Sequence, residues 1–233
     1  MRKFFVDDIN LNKIVSSSDY NHIVNVLRNK TNDIITIFDN KGIDYLCQIT
    51  NINKKFIEYK VLSKKENYKE NSAKLSLFQA SIKPQNLEIV IQKCTELNVD
   101  NMFIFPCEFS NYKTDRLNLD KLNKLSIEAC KQCERSKSLD INFLKSFDDM
   151  VNKLQDYDLV IFAYEKSEIS FKEIFAGQKN VAVIVGPEGG FSLSEVEKLR
   201  KLGNVKEVLI SKNILRSETA SIALCSVCMY ELN

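Results

Sequence analysis

The chain has 233 residues, 33 of them Lys or Arg against 31 Asp or Glu, for a net charge of +2. An apolar fraction of 44% suffices for ordinary globular cores, and the length fits one or two domains. No apolar run approaches a membrane span, and Met1 to Val6 meets Asp7-Asp8 at once instead of a signal-peptide core, so a cytoplasmic protein without membrane partners is expected.

Residues 1–72 hold twelve basic and nine acidic side chains, a mild excess that suits phosphate contact. They read as a small β-rich unit. Ser18 or Asp19 can cap a short helix from Tyr20 to Arg28, with Ile23, Val24 and Leu27 on its apolar side. Asp33 to Phe38 is β-branched and aromatic, hence a strand. Asp39-Asn40-Lys41-Gly42 has a hairpin signature, and Tyr45 to Ile49 and Phe56 to Leu62 supply two more strands. A short barrel of this kind suits an RNA-binding appendage. Ser63 to Asn71 is polar and carries both signs of charge, so a domain boundary is expected near residue 72.

The second domain opens on a strand, Leu75 to Ala80, and a helix from Pro84 to Leu97. Met102 to Phe105 is a strand stopped by Pro106, and Leu119 to Cys133 is an amphipathic helix. Asp158 to Ala163 reads as a strand buried on both faces. Glu165 follows its end, either accepting ribose hydroxyls or lying as a surface glutamate. Val181 to Val185 has no polar break, as in a parallel sheet covered by helices. Gly186-Pro187-Glu188-Gly189-Gly190 follows, and Ser192 with Glu195 forms a capping box for the next helix. A strand from Val205 to Ile210 leads through Ser211 to Arg216 into Ser217-Glu218-Thr219-Ala220 and an apolar terminal helix. The alternation of strand and helix argues an α/β parallel sheet. The glycine loop lacks both the Lys-Ser/Thr of a P-loop and the dinucleotide spacing.

Seven cysteines are an odd number, and reduced thiols are expected. Cys130 and Cys133, and Cys225 and Cys228, have zinc-like spacing, but each pair lies in a helical pattern as neighbours on one face. Buried core thiols are favoured, and no metal site is expected.

GPEGGFS, with ILRSETA about 25 residues later and immediately before the terminal helix, resembles the RsmE family of SPOUT methyltransferases. The resemblance runs over nearly the whole chain. It implies a trefoil-knotted, parallel-sheet α/β C-terminal domain at 73–233 behind a PUA-like β-barrel at 1–72. It also implies an S-adenosylmethionine cofactor, a homodimer, and methyl transfer to N3 of a uridine in the 16S ribosomal RNA of the small subunit. Three sets of residues would hold the donor. The first is Ala163, Tyr164 and Glu165. The second is Val185, Gly186, Pro187, Glu188, Gly189 and Gly190. The third is Leu209, Ile210, Ser211, Ile214, Leu215, Thr219 and Ala220. Ser211 stands where the family usually has glycine, and Ser217 where it has threonine.

Lys93 to Val99 is similar to another family segment, with Asn98 in place of glycine; Asn also tolerates the left-handed helix end. Arg28, in Val26-Leu27-Arg28-x-Lys30-x-x-Asp33, is a candidate RNA contact or a helix-end arginine satisfying carbonyls. Arg2 belongs to a basic N-terminus that the resemblance associates with RNA. Gln132 and Arg135 match Glu-Ala-x-x-Gln-Ser-x-Arg and are candidates to position RNA, or a solvated helix end. Phe109 stands where the family usually shows Arg; it can stack on a base or simply pack.

Uridine N3 is a weak acid, so the reaction must stabilise its anion and take its proton. Arg216 is assigned to charge on the flanking carbonyl oxygens, with Glu188 or Glu218 as proton acceptor; an Arg216–Glu218 structural salt bridge is the alternative. Other readings of the chain are methylation of a ribose 2′-hydroxyl or another base, a non-catalytic RNA-binding protein, and a small-nucleotide binder.

Overall fold

The computed structural model of the chain describes residues 3–15, 18–67, 73–164, 167, 171 and 174–232. Two compact units emerge, residues 1–69 with 127–138 and residues 70–126 with 139–233. Residues 127–138 are the part of the first unit that a single cut near 72 does not anticipate.

In the first unit, alternate residues Ile35, Ile37, Cys47, Ile49, Ile57 and Tyr59 are buried, while Leu46 and Lys60 between them face solvent. That period of two builds a sheet with one covered face. The strands are β1 (Lys3–Phe5), β2 (Lys13–Val15), β3 (Ile34–Phe38), β4 (Ile43–Ile52) and β5 (Phe56–Glu66). Their order is β1-β3-β4-β5-β2, antiparallel except for the parallel pair β1 and β3. The β4–β5 ladder shifts register at Leu46/Cys47 and Ile49/Asn51, the kind of bulge that bends and twists a strand.

The helix expected from Tyr20 to Arg28 lies two residues earlier in the chain. It is one turn of α-helix, α1 (Ser18–Asn21), continued as a π-turn to Val26. Arg28 ends it with a left-handed φ of 56°, and Asn29 N–H reaches back to Ile23 O at 3.0 Å. β5 continues to Glu66, so half of the expected linker is strand; positions 68–72 lie outside the described residues.

The second unit is a six-stranded, all-parallel sheet ordered β11-β9-β10-β6-β7-β8. Its strands are β6 (Lys74–Ala80), β7 (Asn101–Phe105), β8 (Asp140–Phe143), β9 (Leu159–Ala163), β10 (Asn180–Val185) and β11 (Val205–Val208). The helices are α2 (Pro84–Glu96), α3 (Leu119–Cys133), α4 (Phe147–Lys153), α5 (Leu193–Arg200) and α6 (Ser217–Leu232). The second half of α3 belongs to the first unit.

Strand alternation divides the core in two. Leu75, Leu77, Val181, Val183 and Val185 pack with residues of α2 and α6 on one face. Phe78, Ala80, Phe162, Ala182 and Ile184 pack with Met150, Val196 and Leu199 on the other. β6, β9 and β10 are therefore covered on both sides, which is why they read as unbroken apolar runs. Pro84 begins α2, and Asn98 closes it at φ 61°.

Candidate active site

β9, β10 and β11 end side by side, and the crevice outside the C-terminal ends of such strands is where α/β sheets take ligands. Here the loops enclose a cavity of about 370 Å³. It is lined by Ala163 and Tyr164, by Val185 through Phe191, by Val208 through Ser211, by Asn213 through Ser217, and by Ala220. That volume lies in the ordinary range for small-molecule sites.

Each glycine of the first loop has a different reason. A Cβ on Gly186 would stand 2.7 Å from the Phe191 ring. That ring is held by Phe162 at 5.1 Å and Phe147 at 6.2 Å between centroids. A Cβ on Gly189 would meet the Phe109 Cβ at 2.8 Å and its carbonyl oxygen at 3.0 Å. Gly190 meets nothing but has φ +73°, and its N–H closes a turn on Pro187 O at 3.0 Å.

Buried Glu195 fixes the exit of the loop. Its Oε2 accepts from Ser192 N–H at 2.9 Å, completing the capping box of α5, and its Oε1 accepts from Glu108 N–H at 2.9 Å. One carboxylate thus ties the turn after β7 to the loop after β10.

Gln79, fully buried on β6, fixes the second loop. Its Nε2 donates to Ser217 Oγ at 2.9 Å, and Ser217 Oγ donates to Gly186 O at 2.6 Å. Ser221 Oγ lies between Gln79 Oε1 and Ser217 O. The start of α6 is thereby joined to the glycine loop. Sequence reasoning missed Gln79, although a lone amide in an otherwise buried strand is a signal, because a buried amide needs partners.

Most of the expected donor-site residues line this cavity, as do Phe191, Val208, Asn213 and Ser217, which were not singled out. Glu218 and Thr219 do not line it, and Glu165 lies outside the described residues. Arg216 lines the cavity and is exposed; no ion pair joins it to Glu218 or to any other described acid. The Arg216–Glu218 salt bridge is therefore not present. Glu218 is half-buried, and its Oε2 is buried with no hydrogen-bond partner among the described residues. Beside the site, burial pushes the Cys107 thiol up, aided by the Glu195 charge, so it stays protonated at neutral pH.

The fit to a nucleoside-bearing sulfonium can be judged from the walls. Ile210, Ile214, Leu215, Val185 and Val208 give an apolar surface for a flat base. Gly186, Gly189 and Gly190 leave bare main chain in the same lining. These residues fit S-adenosylmethionine.

The RNA candidates lie elsewhere. Arg2 is outside the described residues. Arg28 is exposed in its left-handed turn. Gln132 lines a second cavity of about 390 Å³ within the first unit, with Lys3, Phe4, Ser18, Asp19, His22, Glu128, Lys131 and Glu134. Lys131 Nζ sits 2.8 Å from Asp19 Oδ1 and 2.7 Å from Glu128 Oε1, and Lys3 Nζ sits 2.7 Å from Asp44 Oδ2. Arg135 is 8% exposed, so it offers little surface to a partner.

Cys94 Sγ and Cys225 Sγ approach to 3.9 Å in the core, and the hydrogen bond between them, with burial, pushes the Cys225 thiol up. No cluster of three metal-ligating side chains exists among the described residues.

Comparison with known proteins gives a consistent result. Residues 69–229 match the model of an RNA methyltransferase domain, and residues 15–62 that of an RNA methyltransferase PUA domain. The Ribosomal RNA small subunit methyltransferase E of Rickettsia conorii is 32% identical over 90% of this chain and 86% of its own length. The crystal structure of the enzyme of that name from Neisseria gonorrhoeae, bound to S-adenosyl methionine, superposes with a TM-score of 0.86 at 23% identity, covering 99% of this chain and 97% of that one. A methyltransferase structure from Legionella pneumophila with the bound cofactor SAM gives 0.80 at 25% identity, over 94% and 91%.

Proposed function

The chain belongs to the RNA methyltransferase family, and from that premise we propose that it methylates N3 of one uridine in the 16S ribosomal RNA of the small subunit. The observation that carries this reading is the exposed Arg216, without an ionic partner among the described residues, on the wall of a cavity fit for S-adenosylmethionine. The donor supplies an electrophilic methyl on a sulfonium. The N3–C bond forms as the S–C bond breaks, and the N3 proton must leave. Arg216 stabilises the negative charge that spreads to the uracil carbonyl oxygens. Glu188, which lines the cavity, or Glu218, whose buried Oε2 has no partner among the described residues, takes the proton. Apolar walls keep water from the charge that develops and so strengthen the effect of Arg216.

The residues of the three strand-end loops hold the donor, Glu165 included, and Thr219 supports the loop from outside the cavity. The trefoil knot belongs to this proposal; the Gly186–Ser217–Gln79 chain of hydrogen bonds supports it by joining the two loops that would cross. The first unit, residues 1–69 with 127–138, reads RNA through Arg2, Arg28 and Gln132 in the cytoplasm, and Arg135, 8% exposed, positions that surface from within. A homodimer packs through α6, whose Val227 and Tyr230 are 39% and 82% exposed.

The test is methyl transfer from labelled S-adenosylmethionine to small subunits lacking the modification, with the product nucleoside identified by mass spectrometry. N3-methyluridine at one site is expected. A methylated ribose or another base overturns the N3 assignment, and donor binding without transfer overturns catalysis.

A further inference from the structure

Of the fourteen phenylalanines, all within the described residues, Phe109 alone is largely exposed, at 46%. An exposed ring loses the burial that makes phenylalanine worth having in a core. Its placement is nonetheless fixed. Ser110 N–H donates to Cys107 O at 3.1 Å, and Cys107 N–H donates to Ser110 Oγ at 3.0 Å, so residues 107–110 form a closed turn. Glu195 anchors that turn through Glu108 N–H. The Phe109 main chain and Cβ lie against Gly189, which lines the donor cavity, and Gly189 has no side chain to stand in the way.

The segment beyond Phe109 has a second feature. Tyr112 is half-buried, and Lys113 and Arg116 are exposed. No ion pair to a described acid holds either cation. Aromatic side chains interleaved with unpaired cations are what single-stranded nucleic acid needs, the rings for stacking and the cations for phosphate.

We propose that the segment from Phe109 to Arg116 is the RNA-strand contact of the active site, in which the Phe109 ring stacks on a nucleobase at the mouth of the donor cavity while Lys113 and Arg116 hold the flanking phosphates. This rests on the methyltransferase reading above and adds the binding surface for its substrate. A base held flat against Phe109 is fixed in two dimensions before the reaction, so its ring edge meets the methyl without a search. Stacking is tolerant of base identity. Phe109 therefore serves grip and alignment, and the choice of uridine is left to the edge contacts.

The test uses the full chain and small subunits lacking the modification, at saturating donor. Phe109→Ala raises KM for the subunit about 5- to 160-fold, with donor Kd and melting temperature unchanged. Phe109→Tyr, which keeps the ring, stays near wild type, whereas Phe109→Leu, which keeps only apolar bulk, behaves like Phe109→Ala. The double change Lys113→Ala, Arg116→Ala lowers the slope of log KM against log salt by about 1.4, at about 0.7 per lost single-strand phosphate contact. Equal activity of Phe109→Leu and Phe109→Tyr overturns the stacking role. An unchanged salt slope overturns the phosphate role. If the wild-type chain transfers no methyl to any subunit, the methyltransferase reading itself falls; normal wild-type transfer with an unaffected Phe109→Ala removes only this inference.

Discussion

The two units each enclose a cavity of nearly 400 Å³, and the two are built by opposite means. In the second unit the walls are main chain and aliphatic side chains, positioned by three adjacent strand ends, two glycines that admit other residues' rings and backbone, and two buried polar hubs, Glu195 and Gln79. In the first unit the wall is charged and already paired, with Lys131 held by Asp19, 112 residues away, and by Glu128. A site made by backbone is shaped before a ligand arrives and leaves Arg216, its one cation among the described residues, without an ion pair to any of them. A cleft made by ion pairs has already used its charges on itself, and that makes it a structural joint within the unit more than a reactive centre.

The largest test of this contrast is Arg216→Ala. With no ionic partner among the described residues to strand, the change should leave melting within about 1 kcal/mol of wild type. Transfer at saturating donor should fall by about 10² to 10³, as for loss of a charge-stabilising donor, while donor Kd moves less than about threefold. A collapse in donor affinity with normal turnover at saturation would give Arg216 a binding role instead.

Lys131→Met probes the other cavity. It leaves Asp19 and Glu128 without their shared cation, and removing one partner of a buried pair costs about 3 to 5 kcal/mol. Because Glu128 is exposed and Phe5 N–H still donates to Asp19 Oδ2, the lower end is expected. Denaturant unfolding should show the loss, with donor Kd unchanged. The double change Asp19→Leu, Lys131→Met should recover most of it. If Lys131→Met is as stable as wild type, the cleft holds its charges for a partner and the contrast between the units fails.

This difference also decides what could be read from sequence. Val181 to Val185, the glycines after it and the Ser192–Glu195 capping box are contiguous, so periodicity and spacing expose them. β1, β2, β8 and α4 were not anticipated: three- and four-residue strands carry too little alternation, and α4 has seven residues. Gln79 and Phe191 escaped because their roles arise from contacts across the sheet. Asp19 reads as a helix cap in sequence, yet it spends its carboxylate on Lys131 and Phe5 N–H, 112 and 14 residues away. No local pattern contains that choice.

Gly186→Ala and Gly190→Ala separate crowding from conformation within the backbone-built site. The first pushes a Cβ into the Phe191 ring, which Phe162 and Phe147 confine; overpacking of this kind costs about 1 to 3 kcal/mol. Donor affinity should fall with stability, since the loop must shift. The second meets open space and pays only for the left-handed φ, about 1 kcal/mol. Thermal melts and donor titration of the two variants should keep that order; reversal would mean that the turn, and not the ring, shapes the cavity.

The smallest expected effect lies at the Arg28 turn of the first unit. Asp33 Oδ2 accepts from Lys30 N–H at 2.8 Å and from Asn29 Nδ2 at 3.2 Å, which fixes the residues after Arg28. These bonds, the Lys30 N–H first, hold the Asp33 carboxyl below its usual value. In that case the unfolded chain binds a proton at a higher pH than the folded one. The stabilisation is complete above the ordinary carboxylate value and disappears as pH falls through the folded one. Asp33→Asn should therefore flatten the loss of first-unit stability between about pH 5 and pH 3. Arg28→Gly in the same turn should not destabilise the unit, because glycine accepts the left-handed φ that arginine holds against steric cost. If Arg28→Gly keeps the fold yet weakens RNA binding, the arginine is retained for its charge; if it weakens neither, the turn is structural and the RNA contact of this unit lies elsewhere.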